Sequence, residues 1–392
     1  MLSWEFPPMV VGGLGRHVDA LSGCLAEYGA ETHILTPVVE GNPNFECING
    51  AFVYRLGGSF KSAGNVKSWA FRFNSELIRR STWINRIIGG VDIIHAHDWL
   101  VAYAARSLSK MLNVPLVTTI HATEHGRNRG IHNRIQQEIH DIEHNLVLDS
   151  DRVICCSNNM QREINSLFGV GINKIHIIPN GVAQQKVDER FYLSDLQLPG
   201  LGDNDRIVFF IGRLVPEKGI EDLIRAFPQV AEAVPEARLV VGGKGPQEKD
   251  LVELSSELGI RDRVIFTGFI SDNMRDLIYH WADAAVFPSL YEPFGIVALE
   301  AMAAGTPIVV NDVGGLGEII EDEILGLKVA PGNIDALARA LIRILKDKEL
   351  AGKLRKNAYK VIGEKYSWQK IAAQTVEIYR AAIGEAQKRG AI

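Results

Sequence analysis

Short apolar runs alternate with segments of helical periodicity along almost the whole chain. This alternation is typical of βαβ units and parallel sheets. In the first half, the predicted strands are residues 32–36, 91–95, 116–121, 152–157 and 174–178. In the second half, they are residues 206–212, 237–242, 263–268, 284–288, 307–311 and 326–329. The pattern therefore predicts an α/β protein with two doubly wound domains.

A polar stretch without periodicity separates the two sets of predicted strands. Residues 184–205 include the run LPGLGDND, whose glycines, proline and acidic residues are typical of a linker. We therefore expect a first domain over residues 1–183 and a second over residues 206–366. The last helical segment, about residues 369–392, is predicted to pack back on the first domain.

The first strand of the first domain is unusually short. Only three residues precede the motif WEFPP, where a doubly wound sheet normally opens with about five apolar residues. The chain has either a stub strand or a start that lacks part of the strand, and the sequence leaves both interpretations open.

The composition is typical of a packed cytosolic protein. Apolar residues make up 46% and charged residues 23% of the 392 residues. No apolar run is long enough for a transmembrane helix, and the charged, proline-containing start is unlike a signal peptide. The net charge of −5 argues against a nucleic-acid partner. The four cysteines lack a pairing pattern and are expected as free thiols. The oligomeric state is not indicated.

The first half is electrically balanced and rich in histidine. Residues 1–183 carry 16 basic and 16 acidic side chains, together with ten of the eleven histidines. Histidines offer hydrogen bonds without a strong field, which suits a neutral acceptor with many hydroxyls. Clustering on a solvated face is the alternative.

Two cations follow a predicted strand of the second half. Arg213 comes directly after the strand 206–212, and Lys218 lies five residues further on. Ligands of such folds bind at the carboxyl ends of parallel strands, so both cations are expected on an exposed rim there. The planar guanidinium of Arg213 and the mobile ammonium of Lys218 suit the binding of a diphosphate. They would also stabilise its negative charge as it leaves the sugar. Surface ion pairing is the alternative.

Two glutamates eight positions apart, Glu292 and Glu300, span a strand-to-helix turn in the run EPFGIVALE. In the loop, Glu292 can reach a sugar, and Glu300 in the helix can hold the vicinal hydroxyls of a ribose. A helix N-terminus presents free amides to a sugar or phosphate. The amides in question are those of Phe294, Gly295, Ile296 and Val297. With the two cations, this turn predicts a nucleotide-sugar site; charge complementarity at a helix start would explain one glutamate but hardly both.

A glycine-rich turn follows the stub strand. Gly12 and Gly13 precede a segment of helical periodicity, so their amides could approach a phosphate closely. A purely structural tight turn explains the same pattern, and both interpretations stay open.

Histidines follow two neighbouring strands of the first half. The motif HAHDW ends one strand, and His121 ends the next. His95, His97 and Asp98 have spacing that a metal site could use. We nevertheless expect no metal, because Arg213 and Lys218 already neutralise charge.

Together these motifs resemble the retaining glycosyltransferases of GT-B fold, in particular the family-4 branch and its glycogen and starch synthase relatives. The resemblance covers nearly the whole chain. The matching motifs are GGLG at 12–15, HAHDW at 95–99, PNGV at 179–182, GRLVPEKG at 212–219 and the E-x7-E arrangement of 292–300. The last two are specific and the others supportive. The residues before the glycines are two valines, whereas bacterial glycogen synthases usually have Lys-x-Gly-Gly.

The resemblance implies two Rossmann-like domains facing across a cleft. It further implies that Arg213 and Lys218 bind the diphosphate, Glu300 the ribose, and Glu292 with the 294–297 amides the donor sugar. His121 would lie near the anomeric carbon. Retention without an enzymic nucleophile implies front-face attack, in which the leaving phosphate takes the acceptor proton. No metal or other cofactor is implied, and the nucleotide sugar is a co-substrate.

The favoured function is transfer of glucose from ADP- or UDP-glucose to the non-reducing end of an α-1,4-glucan. Trp4 and Trp99, with His97 and His121, would suit stacking on and hydrogen bonding to a sugar chain. The sequence does not set the donor base, the donor sugar or the acceptor.

Other functions remain open. The basic pair at 127 and 129, beside His121, would suit a phosphorylated acceptor and thus a small glycoside or disaccharide phosphate. A nucleotide-sugar epimerase would need an acid and a base around the sugar ring, and no such pair is legible. A non-catalytic sugar-binding protein would have no use for the complete set of cations and glutamates.

Overall fold

The structure, a computed structural model, describes residues 1–58, 65–183, 198–202 and 204–390. Contacts divide the chain into two compact units. The first comprises Met1–Gly181 with Trp368–Ile392, and the second comprises Val182–Ser367. Most of the predicted linker, residues 184–197 and 203, lies outside the described residues, as do residues 391–392.

The strands of the first unit form two groups. One has the order β1-β3-β2 and the other the order β4-β5-β6-β7. All neighbours are parallel except β2 and β3, which form an antiparallel hairpin. The strands are β1 His33–Pro37, β2 Phe45–Ile48, β3 Ala51–Leu56, β4 Ile94–His97, β5 Leu116–Ile120, β6 Arg152–Cys155 and β7 Ile175–Ile177.

The chain start links these two groups of strands. Leu2 bridges to Leu35 on one side and to Ala96 on the other, both in parallel. Its amide donates to the carbonyl of His95 at 2.8 Å, and its own carbonyl accepts from the amide of His97 at 3.1 Å. Residues 1–3 thus pair as a stub strand between β1 and β4.

Amphipathic helices cover the sheets of the first unit. The helices are α1 Gly13–Leu25, α2 Val66–Ile88, α3 Ala102–Leu112, α4 Glu124–Asn128, α5 Arg134–Asp149, α6 Asn158–Phe168 and, from the end of the chain, α14 Trp368–Lys388. α14 buries Ile371, Val376 and Tyr379 in one core with Leu21 of α1 and Val117 of β5. The last helix therefore belongs to the first unit by its packing.

The second unit has one sheet of six parallel strands, in the order β10-β9-β8-β11-β12-β13. The strands are β8 Arg206–Ile211, β9 Ala237–Gly242, β10 Val264–Gly268, β11 Ala284–Phe287, β12 Ile308–Asn311 and β13 Leu327–Val329. The helices are α7 Ile220–Ala233, α8 Glu248–Glu257, α9 Asp272–Trp281, α10 Ile296–Ala303, α11 Gly314–Ile319, α12 Ile334–Lys346 and α13 Lys348–Lys365. Strands covered on both faces read as continuous apolar runs, which is why the sequence predicted them.

The strand order of the second unit fixes where a ligand can bind. From β8, the chain winds outward through β9 and β10, then returns to β11 on the other side of β8. The carboxyl ends of β8 and β11 therefore flank the topological switch point, where open α/β sheets bind their ligands. The predicted α/β fold class is confirmed, and among the described helices none has the length and apolarity to cross a bilayer.

Candidate functional site

The predicted cations and glutamates converge on the switch point of the second unit. Arg213 and Lys218 follow β8, whereas Glu292 follows β11 and precedes α10, which carries Glu300. Two motifs more than seventy residues apart in sequence thus meet at one edge of the sheet.

Lys218 and Glu292 form a direct ion pair. The Nζ atom of Lys218 donates to Oε2 of Glu292 at 2.6 Å, and the two side chains are 21% and 10% exposed. Gly219 has a positive φ of 63°, and a Cβ there would lie 1.9 Å from the carbonyl oxygen of Pro288. Only glycine lets the Lys218 turn lie this close to the loop after β11, so this glycine is needed for the pair to form.

Arg213 lies on the solvent side of the same edge. Its guanidinium donates to Glu217 at 3.1 Å, and its side chain is 50% exposed. The backbone beneath it is tightly held, because a Cβ at Gly243 would lie 1.9 Å from the carbonyl oxygen of Gly212. The side chain can therefore exchange a weak surface pair for an incoming anion while its backbone stays fixed.

The turn that opens α10 is clamped against α11. The carbonyl of Glu292 accepts from the amide of Gly315 at 2.8 Å, and a Cβ at Gly314 would lie 2.1 Å from that carbonyl oxygen. Gly295 caps α10 with a φ of 105°, and its carbonyl accepts from the amides of residues 298 and 299. The amides of Ile296 and Val297 precede the first intrahelical bonds, which leaves them directed outward from the helix start.

A further residue at this site, Arg275 of α9, was missed by the sequence analysis. Its guanidinium lies 3.3 Å from Glu300 and also pairs with Asp272 and Asp276 at 3.0 and 2.6 Å. Burial lowers the pKa of Arg275, but the three carboxylates more than offset this effect and raise it. Glu300 is therefore buried beside a permanent cation, which offsets the cost of burying a carboxylate. The DNMRD spacing places these α9 side chains on one helical face and was the available signal.

Tyr279 of α9 and Phe294 fix the position of α10. The hydroxyl of Tyr279 donates to the carbonyl of Val297 at 3.0 Å. The ring of Phe294 is buried and packs edge-on against Tyr366, with centroids 6.3 Å apart. Hence the side chain of Phe294 is a packing group of the turn, and its amide remains the candidate for ligand binding.

In the first unit, a buried carboxylate occupies the glycine-rich turn. Oε2 of Glu5 accepts from the amides of Val11 at 2.7 Å and Gly12 at 3.1 Å. Burial raises the pKa of Glu5, and these backbone bonds oppose the rise. The amide of Gly12 thus already serves an internal anion, while Gly13 opens α1. Their role toward a phosphate stays a prediction.

His121, which is partly exposed, packs against two buried imidazoles, those of His17 and His97. Its Nε2 lies 3.2 Å from Nδ1 of His97, and its ring centroid lies 4.9 Å from that of His17. Burial, reinforced by neighbouring imidazoles and Arg127, lowers the pKa of His17 and of His121 to about 3 and that of His97 well below its usual value. These rings are therefore neutral at physiological pH. The sequence analysis did not single out His17, although it lies only two residues after the GGLG run.

Two of the three metal ligands considered from the sequence, His95 and Asp98, are engaged elsewhere. Both ring nitrogens of His95 have partners: the hydroxyl of Tyr379 at 2.6 Å and that of Thr119 at 2.7 Å. Oδ1 of Asp98 accepts from the amide of His121 at 2.7 Å. These contacts position His121, and they argue against His95, His97 and Asp98 as one ligand set.

The two arginines beside His121 have different surroundings. Arg127 lies 3.7 Å from Asp98 and 3.5 Å from Glu124, whereas Arg129 is exposed. Burial raises the pKa of Asp98 to about 6, and Arg127 opposes that rise. Arg127 therefore serves internal carboxylates, which leaves Arg129 as the member of the pair open to an anionic ligand.

Two of the side chains expected to contact a sugar chain are buried. Trp99 is 7% exposed and His97 has no exposed surface. That expectation was therefore wrong for both, because side chains this buried cannot contact a sugar chain. Trp4 and His121 are partly exposed and can still contact a ligand.

The chain resembles known glycosyltransferases in both sequence and fold. Residues 11–186 match the family described as Glycosyltransferase Family 4, and residues 196–361 match Glycosyl transferases group 1. The chain is 38% identical to an uncharacterized glycosyltransferase of Methanocaldococcus jannaschii, over 98% of both chains. It is 35% identical to a glycogen synthase of Mycobacterium tuberculosis, over 97% of this chain and 94% of that protein. A sucrose-phosphate synthase structure from Thermosynechococcus elongatus superposes with a TM-score of 0.83 at 27% identity, covering 98% of both chains.

Proposed function

Because this chain belongs to the family-4 glycosyltransferases, we propose that it is a retaining glucosyltransferase that extends an α-1,4-glucan. Glucose would come from ADP- or UDP-glucose and be added to the non-reducing end of the glucan. The observation that carries the proposal is the Lys218–Glu292 pair at the switch point, beside the free amides of α10. The 35% identity to a glycogen synthase over nearly the whole chain supports the choice of acceptor.

Donor binding follows from the chemistry of this edge. An ammonium has three N–H donors, so Lys218 can hold Glu292 and a phosphate oxygen at once. Arg213 would turn from Glu217 to the diphosphate, since its present ion pair is exposed and weak. Glu300, held by Arg275, would accept hydrogen bonds from the ribose hydroxyls. Glu292 and the amides of the turn would orient the sugar.

Transfer would depend on charge stabilisation more than on acid–base groups of the protein. As the bond between the anomeric carbon and the phosphate oxygen breaks, negative charge grows on the diphosphate, where Arg213 and Lys218 can stabilise it. The departing phosphate oxygen would take the proton of the attacking hydroxyl on the same face, so the anomeric configuration is kept. With a pKa of about 3, His121 is neutral and would orient the sugar by hydrogen bonds, not protonate it. This mechanism uses no metal ion.

A second candidate is transfer to a phosphorylated acceptor. The likeness to a sucrose-phosphate synthase favours it, and exposed Arg129 offers a cation. The internal pairing of Arg127 weighs against it. A double change of Arg127 and Arg129 to Ala separates the two. Glucan transfer should weaken modestly with little salt dependence, whereas transfer to a phosphorylated sugar should be lost.

The decisive assay follows nucleotide release from ADP-glucose, UDP-glucose and GDP-mannose, each with and without glycogen. The proposal predicts glycogen-dependent release from ADP- or UDP-glucose. Release only with a phosphorylated acceptor would replace it with the second candidate. Sugar isomerisation without release would indicate an epimerase, and binding without turnover would indicate a sugar-binding protein.

A further inference from the structure

Three histidines of the first unit converge from separate elements. His17 comes from α1, His97 from the end of β4, and His121 from the segment after β5. One ring nitrogen of each lies within 4.8 Å of one from each of the other two. His17 and His97 are almost completely buried, at 4% and 0% exposure. Three imidazoles this close are the donor set of open, three-ligand zinc sites.

The hydrogen bonds around His17 leave its inner nitrogen ready to bind a cation. Nδ1 of His17 lies 2.6 Å from Oδ1 of Asn180, an atom that can only accept, so Nδ1 carries the proton. The lone pair is therefore on Nε2, a buried atom without a hydrogen-bond partner. A histidine whose second nitrogen donates to a carbonyl oxygen is the usual arrangement of a metal ligand.

The spacing of the other two rings also suits a metal ion. Zinc–nitrogen bonds of about 2.0–2.1 Å in a tetrahedron place neighbouring nitrogens roughly 3.3 Å apart. Nδ1 of His97 and Nε2 of His121 are already 3.2 Å apart. The Nε2 atom of His97 is buried and has no partner, so this ring can carry its proton on either nitrogen.

We propose that His17, His97 and His121 bind a divalent transition-metal ion of the zinc class, and that this ion inhibits the enzyme. Imidazole donors suit zinc, nickel, cobalt and copper, whereas magnesium prefers oxygen ligands. Each neutral ring offers one lone pair, so binding displaces no proton from the protein. Inhibition rests on the proposed function, because a metal-bound His121 cannot orient the donor sugar. The ion is thus a regulator, distinct from a catalytic cofactor.

Cobalt titration of the chelator-treated protein tests the site, because tetrahedral cobalt absorbs visible light strongly. We expect one equivalent of Co²⁺ to bind, zinc to displace it, and magnesium not to displace it. His17→Gln should weaken binding by about a hundredfold or more, because it removes a ligand. His280→Gln, which changes an exposed histidine of the second unit, should bind as the wild type does.

A second variant keeps the test valid if His17→Gln does not fold. Asn180→Ala keeps all three imidazoles but removes the partner that orients His17, and it should weaken binding at least about tenfold. The proposal is overturned if the wild type binds no stoichiometric cobalt, if both variants bind like wild type, or if thiolate charge-transfer absorption shows binding at a cysteine. Because absorption reports binding without turnover, these outcomes stand even if no sugar donor is used. In an active preparation, zinc should inhibit transfer and a chelator should restore it.

Discussion

Replacing Lys218 by Ala should lower both turnover and stability, whereas replacing Arg213 should lower turnover alone. The sequence analysis placed both cations on an exposed rim, where replacing either one would leave the fold intact. The structure separates them, because Lys218 is 21% exposed and pairs with a 10% exposed carboxylate. Arg213 is 50% exposed, and its partner Glu217 lies four residues further along the same loop.

The magnitudes follow from these exposures. Loss of one group that stabilises developing charge costs about 3 kcal/mol, or roughly a hundredfold in rate, for either variant. Removing one partner of a fully buried ion pair costs about 3–5 kcal/mol of stability, because the other charge stays buried alone. Since the Lys218–Glu292 pair is partly exposed, we expect Lys218→Ala to lose about 2 kcal/mol. Arg213→Ala should change stability by less than about 0.5 kcal/mol.

A double variant isolates the cause. In the Lys218→Ala background, Glu292→Gln removes the orphaned charge, so it should recover about 1–2 kcal/mol of stability without recovering turnover. Urea unfolding and nucleotide-release rates measure the two effects separately. If the double variant stays as unstable as Lys218→Ala, the ion pair does not explain the loss. If Lys218→Ala turns over at near-normal rate, the diphosphate role is refuted.

Three further predictions concern the first unit and the cofactor requirement. Glu5→Ala should destabilise the protein by about 2 kcal/mol, because two amides lose their acceptor, and Glu5→Gln by less; equal melting temperatures for Glu5→Ala and wild type would contradict this. Since the pKa of His97 is lowered on folding, only the unfolded chain binds that proton below pH about 6.5, so this one ring makes the wild type less stable as the pH falls, by up to about 1.4 kcal/mol per pH unit. His97→Gln should lack that contribution, so a stability gap to wild type that stays constant in urea unfolding from pH 7 to pH 5 would refute it. Transfer should proceed undiminished in a chelator; loss of activity that magnesium or manganese restores would show a metal requirement.

The sequence predicted the second unit best, because its strands are covered on both faces. Apolar runs then mark each strand, as at β9, where the predicted and observed bounds coincide at Ala237–Gly242. The β2–β3 hairpin was missed, since β2 alternates exposed and half-buried residues and lies at the sheet edge. Strand β4 begins three residues later than predicted, after two glycines with positive φ end the preceding helix.

Site residues within one motif could be predicted, but those that act through tertiary contacts could not. Glu292 and Glu300 could be identified as site residues because they lie in one continuous stretch, a turn and the helix that follows it. Arg275 comes from another helix, and its role depends on how α9 packs against α10. Glu5 was missed for a similar reason. It lies seven residues before Gly12, and nothing in the sequence indicates that its carboxylate folds back onto the amides of Val11 and Gly12.

The most direct test of the account is transfer of glucose labelled with carbon-13 at the anomeric position, from ADP- or UDP-glucose to glycogen, followed by NMR. A single spectrum reports whether the label reaches the polymer and with which anomeric configuration. We predict that the label enters glycogen in an α-1,4 linkage, with the donor's α configuration kept, and that Arg213→Ala slows this about a hundredfold. Label found only as free glucose, a β-linked product, or no use of either donor would contradict the account.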